Sequence, residues 1–223
     1  MLGSHFFLGV YVPARYEVSF RQKRGMNRNE KHQSNAVEVI PMPREPIEVG
    51  AFSWSCIQRL YDVDPVTHWQ RCESEGLQCP QEVFTQLFHE EANNEDFAII
   101  VRAVDWGRVR WDLEEQSGVA LRHVRVDRGY QHAVDEARTQ ATQLGIVDER
   151  PEVVDHWRDA KSWIVPPVIV AGDLLGGGSG LELLVGYTRL GNLLALLDRE
   201  EVPEIHKHLV WVGRSIAYAS YPR

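Results

Sequence analysis

The chain reads as an α+β domain, a small mixed sheet with covering helices, and three features of its sequence predict this. The last third runs PPVIVAG (166–172), DLLGGGSG (173–180), LELLV (181–185), a leucine-rich segment from Arg189 to Asp198, and HKHLVWV (206–212). That order is strand, loop, strand, turn, helix, strand. Upstream, apolar residues recur at helical spacing in several segments separated by Pro and Gly. Finally, 223 residues with 43% hydrophobic and 25% charged content suit a globular domain with one sizeable core.

Taken in order, residues 1–48 read as a disordered or loosely packed extension. The stretches NRNEKHQSN and PMPREP are polar and proline-punctuated. FFLGVYV at 6–12 has no basic residue before it, no small-residue cleavage site after it, and is far too short to span a bilayer. Met26 is an alternative start, and VEVI at 37–40 an alternative edge strand. A single domain is expected over 49–223, with a mostly helical insertion around 50–160.

SWSCIQRLYD (53–62) has a helical period at Trp54, Ile57 and Leu60/Tyr61. Asp64-Pro65 opens a helix to Glu75, because Pro suits the first helical turn. QEVFTQLFHEE (81–91) puts Val83/Phe84, Leu87 and Phe88 on one face. FAIIVRAV (97–104) is an apolar run expected as a buried strand. VRWDL (109–113) and ALRHVRV (120–126) fit strands or helix ends equally. A polar helix is expected over 128–144 with Gly145 as its stop, and another over 151–163 behind Pro151. The sheet is expected to comprise 97–104, 166–172, 181–185 and 208–212.

Net charge is −8, which argues against a general nucleic-acid coat. The charge is uneven. Residues 1–33 hold Arg15, Arg21, Lys23, Arg24, Arg28 and Lys31 against Glu17 and Glu30, and the other 190 residues carry 18 basic against 30 acidic side chains. The basic arm is either a contact device or a solvated tail. Cys56, Cys72 and Cys79 make an odd number without a CxxC pair, so neither a disulfide framework nor a zinc ribbon is expected. A reducing, cytoplasmic setting and no membrane insertion follow.

The junction LELLV-Gly186-Tyr187-Thr188-Arg189 is the most informative stretch. A helix start carries unpaired N–H groups and a partial positive charge. A glycine before it lets a ligand approach the backbone, and a hydroxyl with a guanidinium completes a phosphate site. The plainer alternative is a helix capped by Thr188 with Arg189 in solvent.

The stretch WIVPPVIV, a glycine loop, LELLVGYTRLG and HLVWV (163–212) resembles the ParB/sulfiredoxin-like superfamily. Members carry a strand followed by a G-x-x-R signature that opens a helix and contacts nucleotide phosphates. Gly186-Tyr187-Thr188-Arg189 stands in that place, and Pro167 where a proline commonly starts the preceding strand. The resemblance covers under a quarter of the chain. It implies nucleotide binding at Pro167, Gly186, Tyr187, Thr188 and Arg189, with ATP or another nucleoside triphosphate and Mg2+ as cofactors. It also implies an ATPase/DNase-type activity on DNA. Tyr187 replaces the frequent histidine, and no cysteine lies beyond Cys79, which excludes sulfiredoxin chemistry. The overall plan is similar to plasmid oncogenic suppression or fertility inhibition proteins. The alternative function is accordingly a non-catalytic plasmid or phage regulator that inhibits a conjugation or secretion machine by protein binding.

For catalysis the expectation is Arg189 as the charge stabiliser and Glu182 as the carboxylate, Glu182 and Asp173 being the nearest acids in sequence. Arg122, Arg125 and Arg128, with Tyr130 and Trp111 among nearby arginines, are the expected DNA contacts, the alternative being a face paired with acids. GDLLGGGS has Gly178 where a P-loop has lysine and precedes a strand, so it is not read as one. His206 and His208 alternate as a metal pair could, but the sequence shows no third or fourth ligand nearby, and no metal is expected.

Overall fold

A computed structural model describes Ile57, residues 62–92, Asn94, 104–176 and 178–216. The expected extension 1–48, most of the expected helix 53–62 and the expected strand 97–104 except Val104 lie outside the described residues.

The fold is α+β. Its sheet has five strands: β1 (Val109–Ser117), β2 (Arg125–Val126), β3 (Val168–Ala171), β4 (Leu181–Val185) and β5 (Lys207–Ser215), in the order β1-β5-β3-β4-β2. β2 runs parallel to β4 and β3 parallel to β5, while the β1–β5 and β3–β4 pairs are antiparallel. The sheet is therefore mixed, as expected, but its membership differs. The stretch expected as a mostly helical insertion supplies β1 and β2. ALRHVRV divides: a short helix, α3 (Gly118–Arg122), is capped by the Ser117 hydroxyl, and only Arg125 and Val126 are strand.

Alternation along the central strands builds two cores. Val168, Val170 and Leu184 face a layer containing α1 (Pro65–Ser74) and α2 (Gln81–Phe84), with Trp106. Ile169, Leu183, Val210 and Val212 face α4 (Gln131–Leu144), α5 (Pro151–Ala160) and α6 (Tyr187–Asp198). Strands covered on both faces read as continuous apolar runs, which is why VIV and LELLV carry so little polar punctuation.

The helix boundaries follow local chemistry. The Asp64 carboxylate accepts from the Val66 and Thr67 N–H groups ahead of α1. α2 widens into a π-turn over Thr85–His89, which re-aims Gln86 and His89. Gly145 ends α4 with a φ of 93°.

α4 and α6 run parallel. Contacts advance together from Tyr130–Tyr187, through Ala137–Gly191, to Arg138–Asp198 and Arg199 on the Ala141 carbonyl. The helices touch through Gly191, where an added Cβ would lie 2.6 Å from both the Ala137 Cβ and the Val134 carbonyl oxygen. Two parallel macrodipoles repel, and Arg199 offsets this at the C-terminal end by donating to the last carbonyls of α4.

Two outcomes are expected. Gly191→Ala gains up to about 1 kcal/mol of helix propensity, but it must push backbone apart, for a net loss of about 1–3 kcal/mol in urea denaturation. His68 is fully buried, and burial with the neighbouring His89 depresses it from 6.5 to about 4. A depressed histidine adds to stability in full above its unfolded value and loses that as pH falls from 6.5 towards 4. Stability should therefore fall by about 1.4 kcal/mol per pH unit from this group, and His68→Gln should flatten that part of the pH profile by one proton.

Candidate functional site

Two strand-to-helix turns meet at one end of the sheet. Parallel neighbours β2 and β4 lead into α4 and α6, so both helix starts lie at the carboxyl ends of adjacent strands, where open α/β sheets commonly place ligands.

Gly186 opens α6 with a φ of 106° and is buried. A Cβ there would meet the Pro167 Cβ at 2.7 Å and the Arg189 Nε at 3.0 Å, so glycine is required by both backbone and space. No side chain caps the helix, and Thr188 is an exposed first-turn residue and not its cap. The first main-chain bond of the helix is made by Leu190 to Gly186, which leaves the N–H groups of Tyr187, Thr188 and Arg189 ahead of the ladder.

α4 likewise has no side-chain cap, and neither helix has an acid in its first turn. The Asp127 carbonyl accepts from the Tyr130 and Gln131 N–H groups, while its carboxylate accepts from Gly129. Tyr130 and Tyr187 stack across the two starts, ring centres 4.9 Å apart and planes 5° from parallel. The Tyr187 hydroxyl donates to the Leu184 carbonyl at 2.7 Å. Burial, with Tyr130 beside it, pushes this phenol well above its ordinary value.

Arg189 does not point into solvent. Its guanidinium donates to the Val165 carbonyl at 2.8 Å and to the Gln86 side-chain oxygen at 2.7 Å. The Gln86 amide nitrogen in turn donates to the Pro166 carbonyl at 3.1 Å. Burial lowers Arg189 to about 10, against the pull of Glu90, so it remains cationic at neutral pH. Arg189 is thus a brace joining the π-turn, the Val165–Pro167 segment and the start of α6, with its charge held beside Gly186.

Glu182 and Arg189 are not brought together. Glu182 lies near the opposite end of β4, roughly 10 Å away by strand rise, and ion-pairs with Arg125 at 3.1 Å. Burial raises the Glu182 carboxyl and Arg125 opposes this. The Arg125 guanidinium lies against Gly172, where a Cβ would collide with it, and the Gly172–Gly180 turn closes by a 2.8 Å main-chain bond.

Of the other arginines expected on DNA, Arg122 pairs with Asp198 at 2.7 Å and Glu204 at 3.4 Å, while Arg128 is exposed. Arg138 shares Asp198. Burial works against the Asp198 charge, but the two arginines outweigh it and hold the carboxyl below its usual range. Arg122 and Arg125 are therefore ion-paired with acids distant in sequence. The Gln86–Arg189 bond was not foreseeable from sequence, since the two residues are 103 positions apart.

The π-turn also brings the Nδ1 atoms of His68 and His89 to 2.9 Å, with ring centres 5.2 Å apart. Both nitrogens therefore lie on the line between the rings. This is an N–H···N bond and not two lone pairs converging on an ion. Among the described residues no group of three or more His, Cys, Asp or Glu side chains could hold a metal, and no helix is long and apolar enough to cross a membrane.

Compared with protein-family models, curated proteins and solved structures, the chain matches none.

Arg189→Ala strips donors from the Val165 carbonyl and the Gln86 oxygen, so a loss of about 1.5–3 kcal/mol is expected, read from denaturation midpoints. Arg189→Lys should recover only part of it, because an ammonium cannot reproduce the two-pronged geometry.

Proposed function

We propose that this protein binds a phosphorylated nucleotide at the paired starts of α4 and α6. The observation that carries the reading is the parallel arrangement of two helices whose N-termini meet without a side-chain cap or a first-turn acid. Their partial positive charges add at one end, which favours an anion there. The N–H groups of Tyr187, Thr188 and Arg189 stand ahead of the helix ladder, Thr188 offers an exposed hydroxyl, and the Arg189 charge stands behind the turn. ATP or another nucleoside triphosphate, with Mg2+ on its phosphates, is the ligand that the resemblance of 163–212 implies.

Arg189 has the role of a positioning cation, its fork being filled by protein groups. Glu182 is tied to Arg125 and far from the turn, so nothing favours it as the acid of a hydrolytic step. Action on DNA rests on the resemblance, with Arg128 the exposed member of the three arginines. The filled fork of Arg189 also favours a second reading, a non-catalytic regulator of a conjugation or secretion machine that uses nucleotide only as a structural ligand.

Thr188→Glu tests the binding site. A carboxylate in the first turn suits the helix dipole by about 0.3–1 kcal/mol, so the variant should melt no lower than the parent. It should also lose at least about tenfold in affinity for ATP and for inorganic phosphate, since like charges compete for one position. Equal calorimetric affinity of the folded variant and the parent, or no binding by the parent, would remove the site. Hydrolysis of ATP with Mg2+ by the parent then separates enzyme from regulator.

A further inference from the structure

A second cluster lies outside the site just described. His208 is on β5, 1% exposed, with its side chain among the aromatic residues of the α5-facing core. Its Nδ1 is 3.0 Å from the Ser162 hydroxyl, and its Nε2 is buried with no hydrogen-bond partner. Ser162 follows Lys161, whose left-handed backbone ends α5, and the Trp163 indole donates to the Leu209 carbonyl. Ser162 is thereby held against β5.

The tautomer follows from this. A hydroxyl can accept as well as donate, so Nδ1–H donating to Ser162 satisfies the proton-bearing nitrogen. The opposite tautomer would bury an unpaired N–H. The favoured form leaves a bare, oriented lone pair on Nε2, and an unpaired buried polar atom is costly. A histidine whose far nitrogen is fixed by a neighbour and whose near nitrogen is bare has the form of a metal ligand.

His206, two residues earlier and half-buried, supplies the second imidazole. The two ring centres are 4.9 Å apart with planes at 65°. An ion bonded at about 2.1 Å to one nitrogen of each ring stands about 3.2 Å from each ring centre. The 4.9 Å separation then subtends about 100° at the ion, an ordinary angle between adjacent ligands.

We propose that His206 and His208 form a divalent transition-metal site, with Ser162 as the residue that sets the His208 tautomer. Two neutral imidazoles with no thiolate select late first-row ions, Cu2+ before Ni2+ or Zn2+. Further ligands would have to be water reaching the ion from the half-buried His206 side, since among the described residues no third His, Cys, Asp or Glu joins the pair. The bound ion ties the turn before β5 to that strand.

The test uses the full chain with Ni2+ and Cu2+ alone, followed by calorimetry and tryptophan fluorescence. Trp163 lies 5.2 Å from the His208 ring, so a bound paramagnetic ion should quench it. His206→Asn changes a half-buried side chain and should fold normally. It should bind one ion fewer than the parent and lose the quenching. Ser162→Ala keeps both ligands but frees the tautomer, and should weaken this one site by about tenfold. Equal stoichiometry and equal quenching in the parent and His206→Asn would overturn the proposal. So would quenching that persists in His206→Asn while stoichiometry falls, because the lost ion would then have been bound elsewhere.

Discussion

The Arg189 guanidinium is the point on which the rest of this structure depends. It closes against Gly186, takes the Val165 carbonyl with one prong and Gln86 with the other, and through Gln86 reaches the Pro166 carbonyl. Three segments distant in sequence are joined at one cation. The helical layer holding Gln86 packs on one face of the sheet and α6 on the other, so this bracing crosses the edge between the two cores. A charge kept among protein groups must find acceptors for its donors, and here main-chain carbonyls and an amide provide them without neutralising it. The positive charge therefore remains part of the field at the start of α6.

That field is shaped further by helix direction. Because β2 and β4 are parallel and each leads into a helix, α4 and α6 are aligned head to head. At their far end Arg199 answers the accumulated negative charge by donating to the Ala141 and Thr142 carbonyls. At the near end the stacked tyrosines and the main chain of Asp127 surround the positive poles without a carboxylate in either first turn. An anion at that end would be the electrostatic counterpart of Arg199 at the other.

The tight crossing at Gly191 and the glycine at 186 do different work. Gly191 lets two helix backbones approach, and with them the tyrosine rings. Gly186 supplies a left-handed turn that a side chain would block at Pro167. A side chain at Gly191 would press on α4, and one at Gly186 on Pro167 and Arg189.

The amino-acid order by itself determined the strand–loop–strand–helix–strand plan of the last third, the helices behind Pro65 and Pro151, the stop at Gly145, and the glycine–helix junction at 186. These are local properties: hydrophobic period, proline's fixed φ and glycine's freedom act within a few residues. It did not determine what the charged side chains do. It left Arg189 between a phosphate and solvent, and Arg122 and Arg125 between DNA and nearby acids, whereas their partners are Gln86, Asp198 and Glu182, separated from them by 103, 76 and 57 positions. VRWDL and ALRHVRV were ambiguous for the same reason. Whether 109–117 is strand or helix end depends on β5 lying beside it, and whether 125–126 is strand depends on β4. Only the tertiary structure decided these, because a strand needs a neighbour and an ion needs a counter-charge, and both are chosen by packing between segments far apart in the chain.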